Sequence, residues 1–475
     1  MKIIDHIYIN GKFVKPHGCQ VQDLTNPSNG EIIGQVTLGD EHDVQAAISA
    51  AKAAFKTFSK TSIEERSHML QKLHDAIMAK ADVLVAAAVE EYGSPVVATT
   101  GRTYGSAGCF LQIKEAMKDF EFVKYIRKTK VTLEPIGVCA SITPWNANYN
   151  HICGNLAPAI AAGCTMVIKP SELSAIQTQL LTECFHEAGI PSGVINIVNG
   201  TGEVVGAELT RHPDIAMISF TGSTNVGKII GRGAMDTMKR LALELGGKSP
   251  NIILDDADFK KAIPMALTIG FSNSGQACHA GTRLIVPEHR LEEVKQLIKG
   301  AVNEVKVGDP RQQDVYIGPM VSQKQYDTVQ RYIKKGLEEG AELVIGGEGH
   351  PDGLGGYFVK PTVFAKVTPQ MTIAREEIFG PVLAILTYKT EEEAIEIAND
   401  TIYGLSAYVN SGNLEKANNV AAQIIAGRVL VNQAFHDEPK APFGGFKQSG
   451  IGRGCDVYSI EEYVEPKAIL GYTGA

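Results

Sequence analysis

Three residues whose side chains could do chemistry lie far apart in this 475-residue sequence: Cys278 as a nucleophile, Glu244 as a general base and Asn146 as a hydrogen-bond donor. Cys278 follows a glycine-containing turn after a mostly apolar run, so its thiol could face a cleft and act as a nucleophile. Glu244 stands in LELGGKSP, where apolar neighbours would raise the pKa of its carboxyl toward neutrality and suit it to be a general base. The amide of Asn146, after a strand-like run, could donate to an oxyanion. A structural role is the alternative for each, since free cysteine in particular is among the most buried residue types.

Residues 220–224, reading FTGST, form a candidate phosphate site between a predicted strand and a predicted helix. Backbone amides at such a helix start, with Gly222 in the turn and the Ser223 hydroxyl beside it, could hold a pyrophosphate. The chain contains no complete GxGxxG, and a glycine turn followed by a helix cap is the alternative interpretation.

Lys169 and Glu172 stand in KPSE at the carboxyl end of another predicted strand. A lysine and a carboxylate three residues apart could bind ribose hydroxyls, and the carboxylate would repel a 2′-phosphate. The pattern therefore favours NAD as cofactor and leaves NADP possible. A solvated ion pair at a proline-containing turn is the alternative.

The composition limits the classes of partner that the chain can bind. The formal net charge is −8 and no run of lysine and arginine is present, so neither nucleic acid nor a membrane surface is expected as a partner. The eight cysteines are scattered singly, without the spacing of a zinc site or a disulfide framework. The N-terminus lacks the apolar core of a signal peptide, and no stretch is long enough to span a bilayer. We therefore expect no metal and a cytoplasmic location.

Alternating apolar runs and helical patterns from residue 137 onward predict parallel βαβ units. Strands are expected at 137–143, 165–169, 194–198 and 215–221, and helices at 152–162, 174–188, 203–210 and 225–233. A second series after residue 250 predicts helices at 291–306, 323–339, 391–399 and 414–426 and strands at 283–286, 382–387 and 428–431. The sequence thus predicts a doubly wound α/β sheet with ligand sites at the carboxyl ends of its strands, and a second α/β domain that carries Cys278.

The two ends of the chain carry weaker signals. The N-terminal residues predict a β-hairpin that turns at Asn10-Gly11, and Ser62 with Glu65 predicts a capping box at a helix start. Residues 460–472 are strand-like, and together with residues 125–133 they could pair across a subunit boundary. An ordinary internal strand is the alternative.

Taken together and in their order along the chain, these motifs resemble the aldehyde dehydrogenase superfamily over almost the whole length. The matching segments are ITPWN (142–146), KPSE (169–172), FTGS (220–223), LELGGKSP (243–250), NSGQAC (273–278), EEIFGP (376–381) and PFGGFKQSG (442–450). The resemblance, rather than any spacing, implies that these segments meet at one site.

By that resemblance Cys278 is the nucleophile, Glu244 is the general base, and Asn146 forms an oxyanion hole with the backbone amide of Cys278. The residues that it implies for the cofactor are Trp145 and Leu245, Lys169 and Glu172 at the adenosine ribose, Gly222 and Ser223 at the pyrophosphate, and Glu377 and Phe379 at the nicotinamide and its ribose. The implied reaction is NAD-dependent oxidation of an aldehyde to its carboxylate. A thioester forms on Cys278, and a water activated by Glu244 hydrolyses it.

The resemblance also implies the architecture. A Rossmann-type coenzyme-binding domain would comprise residues 1–117 and 137–246, and an α/β catalytic domain residues 247–446. A small β oligomerisation ribbon would comprise residues 118–136, completed by a C-terminal strand in 447–475, and would join the subunits of a homodimer or homotetramer.

Several positions depart from the commoner family pattern. Ala147 and Gly154 stand where many members carry bulky aromatic residues, which predicts a wider mouth for the substrate unless other side chains fill the space. His279 after the nucleophile either tunes the thiol or hydrogen-bonds outward, the second being favoured. Gly454 stands where a glutamate often follows the arginine, and residues 433–440 form a polar loop at the expected substrate entrance.

Two other functions compete with the hydrolytic one. In a CoA-acylating semialdehyde dehydrogenase, coenzyme A would resolve the thioester in place of water, and Glu244 argues against that branch because the acylating enzymes typically lack this base. A non-catalytic structural or binding protein of the same fold would have no physical need for nucleophile, base and oxyanion donor together.

Overall fold

The structure is a computed structural model that describes residues 1–434 and 438–473. Its strands are β1 (Lys2–Ile4), β2 (Ile7–Ile9), β3 (Lys12–Val14), β4 (Gln20–Thr25), β5 (Ile32–Leu38), β6 (Val123–Ile126), β7 (Thr129–Pro135), β8 (Val138–Ile142), β9 (Thr165–Lys169), β10 (Ile195–Ile197), β11 (Met217–Thr221), β12 (Arg240–Glu244), β13 (Pro250–Ile253), β14 (Arg283–Pro287), β15 (Glu342–Ile345), β16 (Thr362–Ala365), β17 (Val382–Tyr388), β18 (Ser406–Asn410), β19 (Arg428–Val431), β20 (Gly450–Ile451) and β21 (Val464–Leu470). Its α-helices are α1 (Glu41–Phe58), α2 (Ile63–Ala79), α3 (Ala81–Tyr92), α4 (Val96–Asp119), α5 (Asn148–Ala162), α6 (Ala175–Glu187), α7 (Ala207–Arg211), α8 (Thr224–Ala234), α9 (Phe259–Phe271), α10 (Leu291–Ala301), α11 (Gln323–Glu338), α12 (Thr372–Arg375), α13 (Glu391–Asn399), α14 (Leu414–Ala421) and α15 (Asp456–Glu462).

The first large sheet has the strand order β20-β12-β11-β8-β9-β10-β2-β3. Its five central strands, from β12 to β10, are parallel, and β20 and β2 pair antiparallel at their two sides. Because successive strand residues point to opposite faces, Cys139 of β8 enters one hydrophobic core and Val138 and Ala140 enter another. Cores on both faces confirm the predicted doubly wound sheet.

The second large sheet has the order β15-β16-β17-β14-β13-β18-β19 and is parallel except for β15. It too is covered on both faces, with Ile252 in one core and Ile253 in the other. The predicted second α/β series is therefore confirmed. The boundaries proposed for the two domains remain a prediction.

Two three-stranded sheets, ordered β1-β5-β4 and β21-β7-β6, complete the described part of the chain, and β2 and β3 form a hairpin at one side of the first large sheet. The hairpin of β2 and β3 turns at Asn10 and Gly11, whose φ values of 52° and 76° are the left-handed pair that a tight hairpin requires. The C-terminal β21 pairs antiparallel with β7 of the same chain, in a sheet ordered β21-β7-β6. The interpretation of residues 460–472 as an internal strand is therefore correct for this pairing. A contact between subunits would have to use an exposed face of the β21-β7-β6 sheet.

Several helices differ from the predicted ranges. The segment predicted at 203–210 begins as a π-helical turn at Gly202–Gly206, where the amide of Gly206 bonds five residues back to Thr201, before α7 starts. The helix predicted at 414–426 ends at Ala421, because the side chain of Asn399 bonds the backbone of Gln423 and Ile425 and fixes that segment outside the helix. The helix predicted at 291–306 ends at Ala301 and continues as a 3₁₀ turn over Val302–Glu304.

The two large sheets meet end to end. Ile142 of β8 pairs with Lys169 of β9, and Thr221 of β11 pairs with Glu244 of β12, so the carboxyl ends of these strands lie at one edge. A segment of only five residues, 245–249, joins the end of β12 to the start of β13. The amino ends of the second sheet therefore lie against the carboxyl edge of the first sheet. The residues that precede β14 and β17 include Cys278 and Glu377, so the polar segments of both sheets converge here.

Candidate active site

The loop that carries Cys278 departs sharply from helical geometry. After α9 ends at Phe271, Asn273 and Ser274 adopt left-handed φ values of 54° and 59°, followed by Gly275 at 72°. Such angles are costly for residues with a Cβ and persist only where surrounding contacts fix them. Gly275 is required for a second reason, because a Cβ there would lie 2.1 Å from the carbonyl oxygen of Gly380.

Hydrogen bonds to residues 318–321 hold this loop from one side. The Ser274 hydroxyl accepts from the Gly318 amide at 2.9 Å. Gln276 accepts from the Val321 amide at 3.0 Å and donates to the Pro319 carbonyl at 3.3 Å. The thiol is therefore carried by a fixed backbone rather than by a free loop.

Cys278 is half-buried, and its pKa keeps the thiol protonated at pH 7. Burial, together with the negative charges of Glu377 and Glu244, raises the pKa of the Cys278 thiol to about 12. A thiol so placed needs added positive charge or a nearby base to become a nucleophile.

Glu244 is the last residue of β12, and its carboxyl group is buried. Its Oε2 is buried without a hydrogen-bond partner among the described residues. Burial raises the pKa of its carboxyl to about 8, while the guanidinium of Arg453 opposes the shift. An unpartnered carboxylate with a pKa near neutrality can accept a proton at physiological pH.

Asn146 is 8% exposed and lies beside the loop of residues 272–278, which we call the nucleophile loop after the role predicted for Cys278. Its Nδ2 donates to the carbonyl of Gln276 at 3.2 Å, so the amide group is turned with its N–H groups toward that loop. The adjacent Trp145 packs between Phe379 and Tyr92, with ring centroids 5.4 and 5.6 Å away. The residues after β8 thus contact both the nucleophile loop and the segment that contains Phe379.

Glu377 is held against the turn between β12 and β13. Its Oε1 accepts from the Gly247 amide at 3.0 Å, and a Cβ on Gly246 would lie 2.3 Å from its Oε2. Burial raises the pKa of Glu377 to about 7, whereas the Gly247 amide and the buried Lys248 ammonium lower it. The two glycines let the backbone approach both Glu377 and Cys278 closely.

The predicted phosphate and ribose residues lie on the carboxyl edge of the first sheet. Gly222 follows β11, and Ser223 caps α8 by accepting from the Val226 amide at 3.3 Å. Lys169 is buried, with its Nζ 3.3 Å from Glu172 Oε2. A helix start and a lysine and carboxylate pair on one edge of a parallel sheet are groups that can bind a dinucleotide.

The contact between Gly227 and Leu245 explains why α8 lies so near the first sheet. A Cβ on Gly227 of α8 would lie 2.5 Å from the Leu245 side chain, so glycine allows the helix to pack directly against the end of β12. The backbone of Leu245 is in turn held by the Ser449 carbonyl at 2.8 Å. Leu245 therefore supports the cleft, and its backbone continues into the turn that contacts Glu377.

The other sequence-predicted positions are placed as follows. Burial lowers the pKa of His279 to about 4, so its ring is neutral. No described residue hydrogen-bonds that ring, and the outward bond expected for it is therefore not observed.

Gly154 has open space within 4 Å of an ideal Cβ, consistent with the wider mouth predicted for the substrate. In the 433–440 loop, His436 and Asp437 lie outside the described residues, and Lys440 pairs with Asp119 at 3.1 Å.

Three residues of the site were missed by the sequence reasoning. Asn273 lies inside the NSGQAC motif but was assigned no role, and Tyr92 and Arg102 lie in helices that had no chemical signal. In the structure all three meet at the nucleophile loop.

No described group of three or more histidine, cysteine and acidic side chains could hold a metal. No helix of the described chain combines the length and apolarity needed to cross a bilayer.

Comparison with known proteins identifies what this arrangement is similar to. Residues 13–469 match the sequence model described as "Aldehyde dehydrogenase family". The chain is 47% identical over 478 residues to a 3-succinoylsemialdehyde-pyridine dehydrogenase from a Pseudomonas species, with 100% of both chains covered.

Solved structures of aldehyde dehydrogenases also superpose closely on this chain. A mutant of aldehyde dehydrogenase C from Pseudomonas syringae, in complex with NAD+ and octanal, superposes with a TM-score of 0.97 at 43% identity and covers 99% of this chain and 97% of its own. A betaine aldehyde dehydrogenase point mutant from Staphylococcus aureus, in complex with NAD+ and with a BME-modified cysteine, has a TM-score of 0.95 at 34% identity, with 99% and 97% covered.

Proposed function

We propose, from the premise that this chain belongs to the aldehyde dehydrogenase family, that Cys278, Glu244 and Asn146 oxidise an aldehyde to its carboxylate by a hydrolytic route. Membership makes the chain an oxidoreductase that acts on aldehydes, with NAD as its cofactor. The roles of the individual residues are the proposal. The observation that carries it is the contact between the Gly246-Gly247 turn, which begins two residues after Glu244, and both Cys278 and Glu377.

The first step is attack of Cys278 on the aldehyde carbon, once its thiol has lost its proton to solvent and become a thiolate. The carbonyl oxygen then gains negative charge, which the Asn146 amide and the backbone amide of Cys278 would stabilise. Removal of one such donor typically costs about 3–4 kcal/mol of barrier. Asn146 is suited to this role because its amide is already oriented by the Gln276 carbonyl.

Several residues would hold NAD, whose bound nicotinamide supplies the acceptor for the hydride. Lys169 and Glu172 would bind the adenosine ribose, and Gly222 and Ser223 the pyrophosphate at the start of α8. Glu377 and Phe379 would contact the nicotinamide and its ribose, with Trp145 packed behind Phe379.

We assign activation of the water that hydrolyses the thioester to Glu244. Oxidation leaves a thioester on Cys278, and Glu244 would take a proton from a water that attacks it, releasing the carboxylate and the thiol. The unpartnered Oε2 and the pKa of about 8 support this role. The same observations favour water over coenzyme A as the acyl acceptor, because a thiol acceptor does not need a buried base beside the thioester.

The test is NADH formation by the purified protein with aliphatic, aromatic and charged aldehydes, with NAD and NADP in parallel. Cys278→Ser should abolish NADH formation and leave NAD binding intact, while Cys19→Ser, which removes an exposed thiol, should retain full activity. Turnover by Cys278→Ser would remove that residue from the mechanism. Release of an acyl-CoA when coenzyme A is added would replace the hydrolytic route by the acylating one.

The aldehyde itself is the open part of the function. The named relatives act on or bind chemically different aldehydes, among them octanal. The open space at Gly154 favours a substrate wider than a short alkanal. A clear best substrate in the aldehyde panel would define the class.

A further inference from the structure

A side chain of α4 reaches across to the nucleophile loop. Arg102 donates from Nη1 to the Asn273 Oδ1 at 2.5 Å, and from Nη2 to the hydroxyl of Ser94. Asn273 in turn donates from Nδ2 to the Tyr92 hydroxyl at 2.7 Å and to the Gln276 carbonyl at 2.9 Å. Arg102 forms no ion pair with any carboxylate of the described residues, so its charge is directed at neutral acceptors.

The chemistry of these groups fixes how the Asn273 amide is turned. A guanidinium can only donate, so the group that faces Arg102 must be the amide oxygen. The NH₂ group must then face Tyr92 and Gln276, as observed. If Arg102 were removed, the amide could rotate and offer its oxygen to the Gln276 carbonyl, which would repel it.

The Gln276 carbonyl links this network to the proposed oxyanion hole. It accepts from Asn273 at 2.9 Å and from Asn146 at 3.2 Å, so both of its lone pairs are used. The bond to Asn146 turns the NH₂ group of that side chain toward the nucleophile loop. A displaced Gln276 carbonyl would leave Asn146 without the acceptor that orients it.

We propose that Arg102 is a positioning residue that orients the oxyanion donor Asn146 through Asn273 and the Gln276 carbonyl. The proposal rests on the function proposed above, because it needs Asn146 to stabilise the oxyanion. Arginine suits the task since its rigid fork reaches two acceptors with two nitrogens, which lysine cannot do. The charge also strengthens the bond to Asn273.

The network also explains how the left-handed backbone at Asn273 and Ser274 is maintained. Asn273 is held from two sides by Arg102 and Tyr92, and Ser274 by the Gly318 amide. Strained conformations persist where neighbouring contacts over-determine them. The loop is thereby tied to the junction of α3 and α4, elements that contain none of the proposed catalytic residues.

The experiment is a double-mutant cycle between Arg102→Gln and Asn146→Ala, read by the rate of the first-turnover NADH burst. Alone, Arg102→Gln should slow the burst by a factor approaching the roughly 10²-fold loss typical of a missing oxyanion donor, with the NAD dissociation constant unchanged. In the Asn146→Ala background it should cost little further, because both changes remove one function. Arg102→Lys should recover part of the rate.

The variant Asn273→Asp tests whether Asn273 orients the Gln276 carbonyl or only anchors the nucleophile loop. The aspartate keeps an acceptor for Arg102 but cannot donate to the Gln276 carbonyl, so it should slow the burst as Arg102→Gln does while the melting temperature stays near that of the wild type. Lys118→Gln, which removes an exposed charge from the same helix, is the matched control and should be unaffected.

Full additivity of Arg102→Gln and Asn146→Ala would overturn the proposal, as would a wild-type burst in Asn273→Asp. If Arg102→Gln does not fold, the cycle is run with Asn273→Asp and the same criteria apply. A wild-type burst in Asn146→Ala alone would instead contradict the oxyanion role in the proposed function, so the two failures are distinguishable.

Discussion

Gly247 lies so close to Cys278 that a Cβ on residue 247 would stand 2.3 Å from the Cys278 carbonyl oxygen. The amide of Gly247 meanwhile donates to Glu377. One backbone position thus sets the distance between the nucleophile loop and the predicted ribose ligand. Since real Cβ atoms essentially never make such a contact, a side chain here must shift the Gly246-Gly247 turn and the nucleophile loop relative to each other.

Gly247→Ala should therefore inactivate the protein more than it destabilises it. A shift of about 1 Å at a reacting group can cost on the order of 10²-fold in rate, while overpacking costs about 1–3 kcal/mol of folding stability. The measurements are kcat and the midpoint of urea unfolding. Gly300→Ala, in α10 with open space around it, is the control and should leave kcat unchanged. A Gly247→Ala protein with normal kcat would contradict the close contact.

Glu244→Gln should separate the two halves of the reaction. The amide has nearly the same shape but accepts no proton, so the thioester should form and then persist. We expect a first-turnover burst of NADH close to one equivalent per site, followed by a steady-state rate lower by roughly 10²–10⁴-fold, the usual contribution of a general base. Glu461→Gln, an exposed neighbour of the C-terminal strand, should behave as the wild type. Loss of the burst as well would reassign Glu244 to an earlier step.

The pH dependence of turnover should follow the same carboxyl. Burial raises the pKa of Glu244 to about 8, so at pH 6 the group is mostly protonated and cannot act as a base. Where hydrolysis limits the rate, kcat should rise about tenfold per pH unit up to that pKa and then level off. The profile is measured by NADH formation at saturating substrate between pH 5.5 and 9.5. In Glu244→Gln this rise should disappear, and its persistence there would assign the titration to another group.

The sequence predicted the carboxyl edge of the first sheet well for a physical reason. Parallel buried strands leave clear apolar runs, and in a parallel sheet the residues that follow such runs must share one edge. Lys169, Gly222 and Glu244 each follow such a run, and the registers of β8, β9, β11 and β12 place them together. Cys278 and Glu377 instead precede strands of the second sheet, and only the resemblance brought them to the same site.

The sequence could not predict the contacts that hold the nucleophile loop. Arg102 lies in a helix whose glycines and mixed polarity give no clear apolar face, and its partner Asn273 is 171 residues away. Such a pair depends on how α4 packs against the loop, which no local pattern records. The early end of α14 has a similar origin, because the side chain of Asn399 outcompetes helical bonding at Gln423 and Ile425.

Glu172→Gln should weaken the preference for NAD over NADP. The side chain of Glu172 is partly exposed and lies 3.3 Å from the Lys169 ammonium. If this pair binds the adenosine ribose as proposed, the negative charge of Glu172 repels a 2′-phosphate. Removal of that charge leaves Lys169 free to attract the phosphate, and we expect the ratio of kcat/KM for NAD to that for NADP to fall roughly tenfold, about 1.4 kcal/mol. Glu187→Gln, which removes an exposed carboxylate at the far end of α6, should leave the ratio unchanged. An unaltered ratio in Glu172→Gln would place the ribose elsewhere.

The three-stranded ribbon should join subunits, as the resemblance implies. Ile126 of β6 and Leu470 of β21 both pair with Thr129 of β7, so the two side chains lie on the same face of the sheet, where they are 57% and 78% exposed. An exposed apolar row on a sheet is typical of a surface that another chain covers, and burial of a leucine contributes about 1.5–3 kcal/mol, counted twice at a symmetric interface. Leu470→Asp should therefore shift a homodimer or homotetramer to a smaller species, measured by light scattering on a sizing column at micromolar concentration. Met238→Asp changes an equally exposed apolar residue outside the ribbon and should keep the assembly intact. An unchanged mass for Leu470→Asp would exclude this face of the ribbon from the interface.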